Sequence, residues 1–158
     1  MEIRFANTQD VGGILELLRQ VGLVHHKGRP DIFRGNAQKY SASQVINMLD
    51  KPQTPIFIAA EGDKVLGYCF CMIKNFHNDP VMTERTELYI DDLCVDENCR
   101  GQGVGKKLYD TVCEYAKMRK CGYITLNVWA CNESAMKFYE KCGLKVQKIG
   151  METVLEEA

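Results

Sequence analysis

Six consecutive residues, Arg100-Gly101-Gln102-Gly103-Val104-Gly105, have the composition of an anion site built from backbone. Glycines adopt conformations closed to other residues, so successive amides can turn into one concavity. The helical pattern that follows, from about Gly103 to Lys120, adds unpaired N–H groups and the positive end of its dipole. Phosphate is the fitting ligand. A Walker loop needs Gly-Lys followed by Ser or Thr, whereas Gly105 precedes Lys106-Lys107 here. A dinucleotide fingerprint needs G-x-G-x-x-G and an acidic residue about 20 positions on. This chain has G-x-G-x-G, and its next strand carries Thr125-Leu126-Asn127. Neither nucleotide motif fits.

Just upstream lie three carboxylates, Glu87, Asp91 and Asp92, in one β-rich run from Glu87 to Val95. Strand alternation places Glu87 and Asp91 on one face and Asp92 on the other. Each could act as a proton acceptor or be a solvated or salt-bridged group. A loop with His25, His26, Arg29, Asp31 and Arg34 adds groups that could bind a carboxylate or titrate near neutral pH. Eight cysteines, at 69, 71, 94, 99, 113, 121, 131 and 142, include no C-x-x-C pair and no partnering His cluster. Reduced, mostly buried thiols are expected, with no metal.

The elements that must position these groups follow from periodicity. Glu2 to Ala6 alternates as a first strand. Thr8 offers an N-cap to a helix striped by Val11, Ile14, Leu15, Leu18 and Val21. An irregular segment from Gly22 to Gly35 precedes a short helix near Ser43 to Leu49. Ile56–Ala60 and Val65–Ile73 form a hairpin across Glu61-Gly62-Asp63-Lys64. Helix Gly103–Lys120 puts Val104, Leu108, Val112 and Tyr115 toward a sheet, and Tyr123–Val128 is the next strand. Asn132 caps a last helix that Gly143 stops, and the tail from Leu144 to Leu155 can form one or two further strands. Helices separated by strands imply a mixed α/β sheet.

Bulk properties bound the function. The 158 residues have the length of one domain, are 46% hydrophobic and 26% charged, and carry a formal net charge of -1. That balance gives no electrostatic case for nucleic acid or an anionic membrane. No signal-like or bilayer-spanning apolar run is present, so a cytoplasmic protein is expected.

Taken together, Arg100-Gly101-Gln102-Gly103-Val104-Gly105 resembles the R/Q-x-x-G-x-G/A signature of the GNAT N-acetyltransferase superfamily. Asp91-Asp92-Leu93-Cys94-Val95 looks like that family's preceding strand. Asn132-x-x-Ala135-x-x-Phe138-Tyr139, with Gly143-Leu144, matches its second characteristic segment. The resemblance covers about Leu88 to Val146. It implies a single α/β (α+β) domain over residues 1–158, with a mostly antiparallel sheet flanked by helices and splayed central strands. It further implies acetyl-CoA as co-substrate, held by Arg100 to Gly105 with Lys106, by backbone at Leu93, Cys94 and Val95, and by Asn132 and Ala135.

Acyl transfer to an amine also requires proton management. An alkylamine has a pKa of about 10.4 and must lose a proton before it attacks. The departing thiolate must be neutralised. The resemblance puts Tyr139 in the acid's place and Asp91 in that of the base, with Asp92 and Glu87 as alternatives. A second family pattern sets the base on the following strand, where Asn127 cannot serve. Cys94 and Cys131 lie near the expected acyl site, but no base beside either can be argued from sequence, so direct attack is the simpler route. The expected activity is transfer of acetyl to a primary amine, small or peptide N-terminal, by a monomer or homodimer. The alternative is a non-catalytic acyl-CoA-binding or sensing module.

Overall fold

The computed structural model describes residues 1–156. A five-stranded sheet in the order β1-β2-β3-β4-β5 organises the chain. Its strands are β1 (Glu2–Phe5), β2 (Ile56–Glu61), β3 (Lys64–Phe76), β4 (Arg85–Val95) and β5 (Tyr123–Leu126). The first three pairings are antiparallel, and β4 pairs with β5 in parallel. Helices α1 (Val11–Gly28) and α2 (Ala42–Leu49) cover one face. Helix α3 (Val104–Met118) covers the other, and α4 (Glu133–Lys141) follows β5. The mixed, mostly antiparallel sheet flanked by helices is the architecture expected.

Alternation sorts the core into two layers. Cys69, Cys71, Leu88 and Ile90 face Val104, Leu108, Val112 and Ala116 of α3. Ile56, Ile58, Tyr68, Phe70 and Cys94 face Ile14, Leu17 and Leu18 of α1 and Val45 of α2. The two helical stripes recur at three- and four-residue spacing, one wall of a helix each. Gly67 permits the close approach of α3, because a Cβ there would lie 2.9 Å from the Cys94 carbonyl and 3.1 Å from Leu108.

Three local expectations differ from the structure. Thr8 is not a cap: Asn7 caps a 3-10 turn, Thr8–Asp10, that leads into α1, its side chain accepting from the Gln9 amide at 2.9 Å while Asp10 accepts from the Asn7 amide at 2.8 Å. Helix α1 also runs on through His25 and His26 to Gly28. Gly22 does not stop it; its bare Cα lets the chain at Ala37 approach, where a Cβ would meet the Ala37 carbonyl at 2.5 Å. Finally, no strand forms between Leu144 and Glu156, although the segment has strand-like alternation. Among the described residues no helix is long and apolar enough to cross a membrane.

Candidate active site

The glycine-rich turn has the geometry its composition implies. Gly101 and Gly103 have φ of +78° and +80°, in the left-handed region that disfavours side chains. A Cβ at either would meet nothing within 4 Å, so the turn opens onto free space. Gly103 caps α3 without any side-chain hydrogen bond, leaving the helix's first amides for an anion. Gly105 serves packing: its Cβ would lie 3.2 Å from the Phe138 ring, so α4 sits directly against the start of α3. The Lys106 ammonium pairs with Asp110 one turn on. A cleft of ≈ 550 Å³ runs along α4 between Glu133, Ser134, Lys137, Phe138 and Lys141.

Strand β4 leads into that turn and separates from its neighbour on the way. Parallel pairing with β5 ends at Ile90 and Leu126. From Leu93 to Val95 the strand pairs only with β3, opposite Cys69, Tyr68 and Gly67. Its other edge is therefore open at Leu93, Cys94 and Val95. Asn132 caps α4, its side chain accepting from the Ala135 amide at 3.2 Å.

A β-bulge changes what the strand presents. Phe70 pairs with Asp92 and Cys71 with Ile90, so Asp91 is the inserted residue. Instead of falling on opposite faces, both aspartates turn toward the α1/α2 side. The Asp91 carboxylate accepts from the Tyr40 hydroxyl at 2.5 Å and from Lys39 at 3.1 Å. The Asp92 carboxylate accepts from the Tyr68 hydroxyl at 2.8 Å. Tyr40, Phe70 and Tyr68 pack in series, with ring centroids 5.3 and 4.9 Å apart. Glu87 is taken up elsewhere, buried in an ion pair with Arg85 at 3.3 Å.

Electrostatics separates the roles open to these groups. Desolvation pushes the Asp92 carboxyl up to about 6, with the neighbouring Asp91 charge acting in the same direction and the Tyr68 hydrogen bond opposing it. Burial holds the Tyr139 phenol above its ordinary value, reinforced by nearby Cys69 and Asp92. The phenol is therefore a proton donor at neutral pH. Among the described residues its hydroxyl makes no hydrogen bond. Cys94 is unsuited to nucleophilic attack, since burial pushes its thiol up to about 12 and it donates to the Leu17 carbonyl at 3.6 Å. Cys131 is exposed beside Gly28 at the end of α1.

The histidine-bearing segment forms one wall of the same side. His25 stacks on Phe33 at 4.9 Å, and Phe33 meets Trp129 edge-on at 5.0 Å. Burial and the Lys39 charge lower the His25 pKa. Arg29 is paired with Asp31 and Glu152, whereas Arg34 is exposed. Asn127, excluded as a base, donates to the Tyr89 hydroxyl at 3.2 Å. Sequence reasoning missed Lys39, Tyr40 and Tyr68, which reach the aspartates from segments 24 to 52 residues away. No local pattern marks such contacts.

The family model described as Acetyltransferase (GNAT) family matches residues 25–144, spanning the turn, the bulge and Tyr139. The chain belongs to the GNAT acetyltransferase family. Glucosamine 6-phosphate N-acetyltransferase of Trypanosoma brucei brucei is 25% identical to this acetyltransferase over 155 residues, 94% of this chain and 91% of that one. Thialysine N-epsilon-acetyltransferase of Bos taurus is 29% identical over 151 residues, covering 89% and 82%. The solved structure of a mutant BH1408 protein from Bacillus halodurans superposes with a TM-score of 0.93 at 32% identity, over 99% of this chain and all of that one. The protein is thus an acetyl-transferring acyltransferase, which displaces the non-catalytic binding module.

Proposed function

We propose that this acetyltransferase moves the acetyl group of acetyl-CoA directly to a cationic primary amine, with Asp92 accepting the amine's proton and Tyr139 protonating the departing sulfur. The observation that carries the reading is the bulge at Asp91, which brings two carboxylates of different character to one face. Asp91, expected as the base, already holds an ammonium, that of Lys39. It is better suited to receiving the acceptor's cation, assisted by Tyr40. Asp92 has the pKa of about 6 that lets a carboxylate take a proton near neutrality.

The residues present fit the co-substrate. The open, uncapped turn from Arg100 to Gly105 would receive the pyrophosphate, with the Lys106 amide in the first turn of α3. The unpaired edge at Leu93 to Val95 would bond the pantetheine arm. Asn132 and Ala135 would line its far side from the start of α4. Acetyl-CoA supplies an activated thioester, and an N–H of the β4 edge would polarise its carbonyl as charge develops on the oxygen. Tyr139 then has a proton to give, because burial keeps its phenol un-ionised.

The acceptor is a small amine or an amino-acid-like compound whose ammonium exchanges with Lys39 at Asp91. Relatives named for glucosamine 6-phosphate and thialysine support amine acceptors as a class. We place the whole chain in one catalytic domain acting in the cytoplasm, consistent with eight unbridged cysteines. The test is CoA release from acetyl-CoA across a panel of amines, amino acids and peptides, using wild type and Asp91→Asn. The expected result is turnover with cationic amines and an acceptor KM raised about tenfold by the substitution. Absence of turnover across the whole panel contradicts the reading.

A further inference from the structure

The strip of sheet beyond Asp91 carries charge that the chemistry above does not use. Helices α1 and α2 pack on Ile56, Ile58, Tyr68, Phe70 and Cys94, and their layer ends there. Further along the same face, β3 contributes Met72 and Lys74, while β4 contributes Glu87 and Tyr89. Their direction follows from their neighbours, because Ile73, Leu88 and Ile90 pack on the opposite, α3 side. Met72 lies opposite Tyr89, and Lys74 opposite Glu87. On the other flank, β5 sets Tyr123 beside Glu87 and Thr125 beside Tyr89. Tyr123 and Asn127 are exposed, so the strip opens to solvent.

Two cations stand on this strip, each over an aromatic ring. The Lys74 ammonium lies 3.9 Å from the centre of the Tyr89 ring, and the Arg85 guanidinium 3.5 Å from that of Tyr123. An aromatic face orients a cation without cancelling its charge. Glu87, the carboxylate across from Lys74, is bound to Arg85 at 3.3 Å, which leaves the row with one positive charge in excess. The strip is therefore polarised along its length. It is negative at Asp91 once an acceptor displaces Lys39, and positive at Lys74. Tyr89 joins the two ends, since its phenol is within electrostatic reach of Tyr40, whose hydroxyl holds Asp91. At about 3.3 Å per residue, the two residues from Asp91 back to Tyr89 set Lys74 about 7 Å from the ammonium site.

We propose that the acceptor is an ω-amino acid or a close analogue, with its ammonium at Asp91 and its carboxylate on Lys74. The inference rests on the acetyl-transfer reading above and narrows it to amines that also carry an anion. At about 1.2 Å of extension per bond, five methylenes between nitrogen and carboxylate carbon match the span. A diamine of that length would set a second ammonium against Lys74. A plain alkylamine would leave Lys74 unmatched.

Calorimetric titration of the full chain with 6-aminohexanoate, hexylamine and 1,6-diaminohexane reads the preference without needing turnover. The carboxylate should tighten binding about 10- to 100-fold over hexylamine, with the diamine weakest. Lys74→Arg should keep that order. Lys74→Glu should invert it in favour of the diamine, a result that misfolding cannot produce. Equal dissociation constants for the three ligands in wild type would overturn the proposal. So would an order left unchanged by Lys74→Glu. The expected order without CoA release from any amine would contradict the transfer reading alone, whereas CoA release with no such order would contradict this one.

Discussion

At Arg100–Gly105 the candidate site is made of backbone, whereas at Asp91 and Asp92 it is made of β4 side chains held by two other segments, Lys39–Tyr40 and Tyr68 on β3. The turn works because Gly101 and Gly103 have positive φ and α3 begins without a side-chain cap. The carboxylate end works because Tyr40 and Lys39 hold one aspartate and Tyr68 holds the other. A backbone cradle recognises a ligand shared by many enzymes and tolerates most side-chain change around it. A side-chain cluster is particular to its acceptor and sensitive to single atoms. Substitutions at the two ends should therefore fail differently, one in KM for acetyl-CoA and the other in acceptor KM at Asp91 and in kcat and its pH dependence at Asp92.

The largest effect is expected between the two ends, at Tyr139. Tyr139→Phe removes the proton donor to the sulfur and should lower kcat about 100- to 1,000-fold with little change in KM for acetyl-CoA. Steady-state CoA release would show it, and an unchanged rate would take Tyr139 out of the acid role. Asp92→Asn should cost about 100-fold in kcat while making the protein more stable. The folded-state pKa of Asp92, about 6, lies above its ordinary 3.8, so the native state holds the extra proton between these values. Stability therefore falls as pH rises through that window. The cost is about 3 kcal/mol at pH 7, an upper figure at 1.36 kcal/mol per pKa unit. Thermal melts at pH 7 and pH 4 should show the variant's advantage only at the higher pH.

The backbone end should respond more mildly. Gly103→Ala places a side chain at φ +80°, a strain of about 1–2 kcal/mol, and should raise KM for acetyl-CoA about tenfold with kcat nearly kept. The smallest effect is expected at Tyr68→Phe. Loss of its hydrogen bond lifts Asp92 further above 6 and slows turnover at pH 7 about threefold. Raising the pH should restore the rate, which a merely structural lesion would not allow.

The same contrast governs what could be read from residues alone. The glycine turn and the Asn132 cap were legible because each is local, set by backbone conformation, whereas Tyr139 was singled out only by the family resemblance. The bulge was not legible, since one inserted residue in β4 is defined only by its register with β3. Alternation consequently put Asp91 and Asp92 on opposite faces when they share one. Tyr40 and Tyr68 come to the site by tertiary packing, which no spacing encodes. The tail shows the reverse case, where strand-like alternation was visible and the single chain offers it no partner strand.

The central claim is that Asp92, and not Asp91, takes the proton. The pH dependence of kcat/KM for acetyl-CoA at saturating amine tests it directly, in wild type, Asp91→Asn and Asp92→Asn. The account predicts an inflection near 6 in wild type that survives Asp91→Asn and disappears in Asp92→Asn. Survival of that inflection in Asp92→Asn, with its loss in Asp91→Asn, would contradict it.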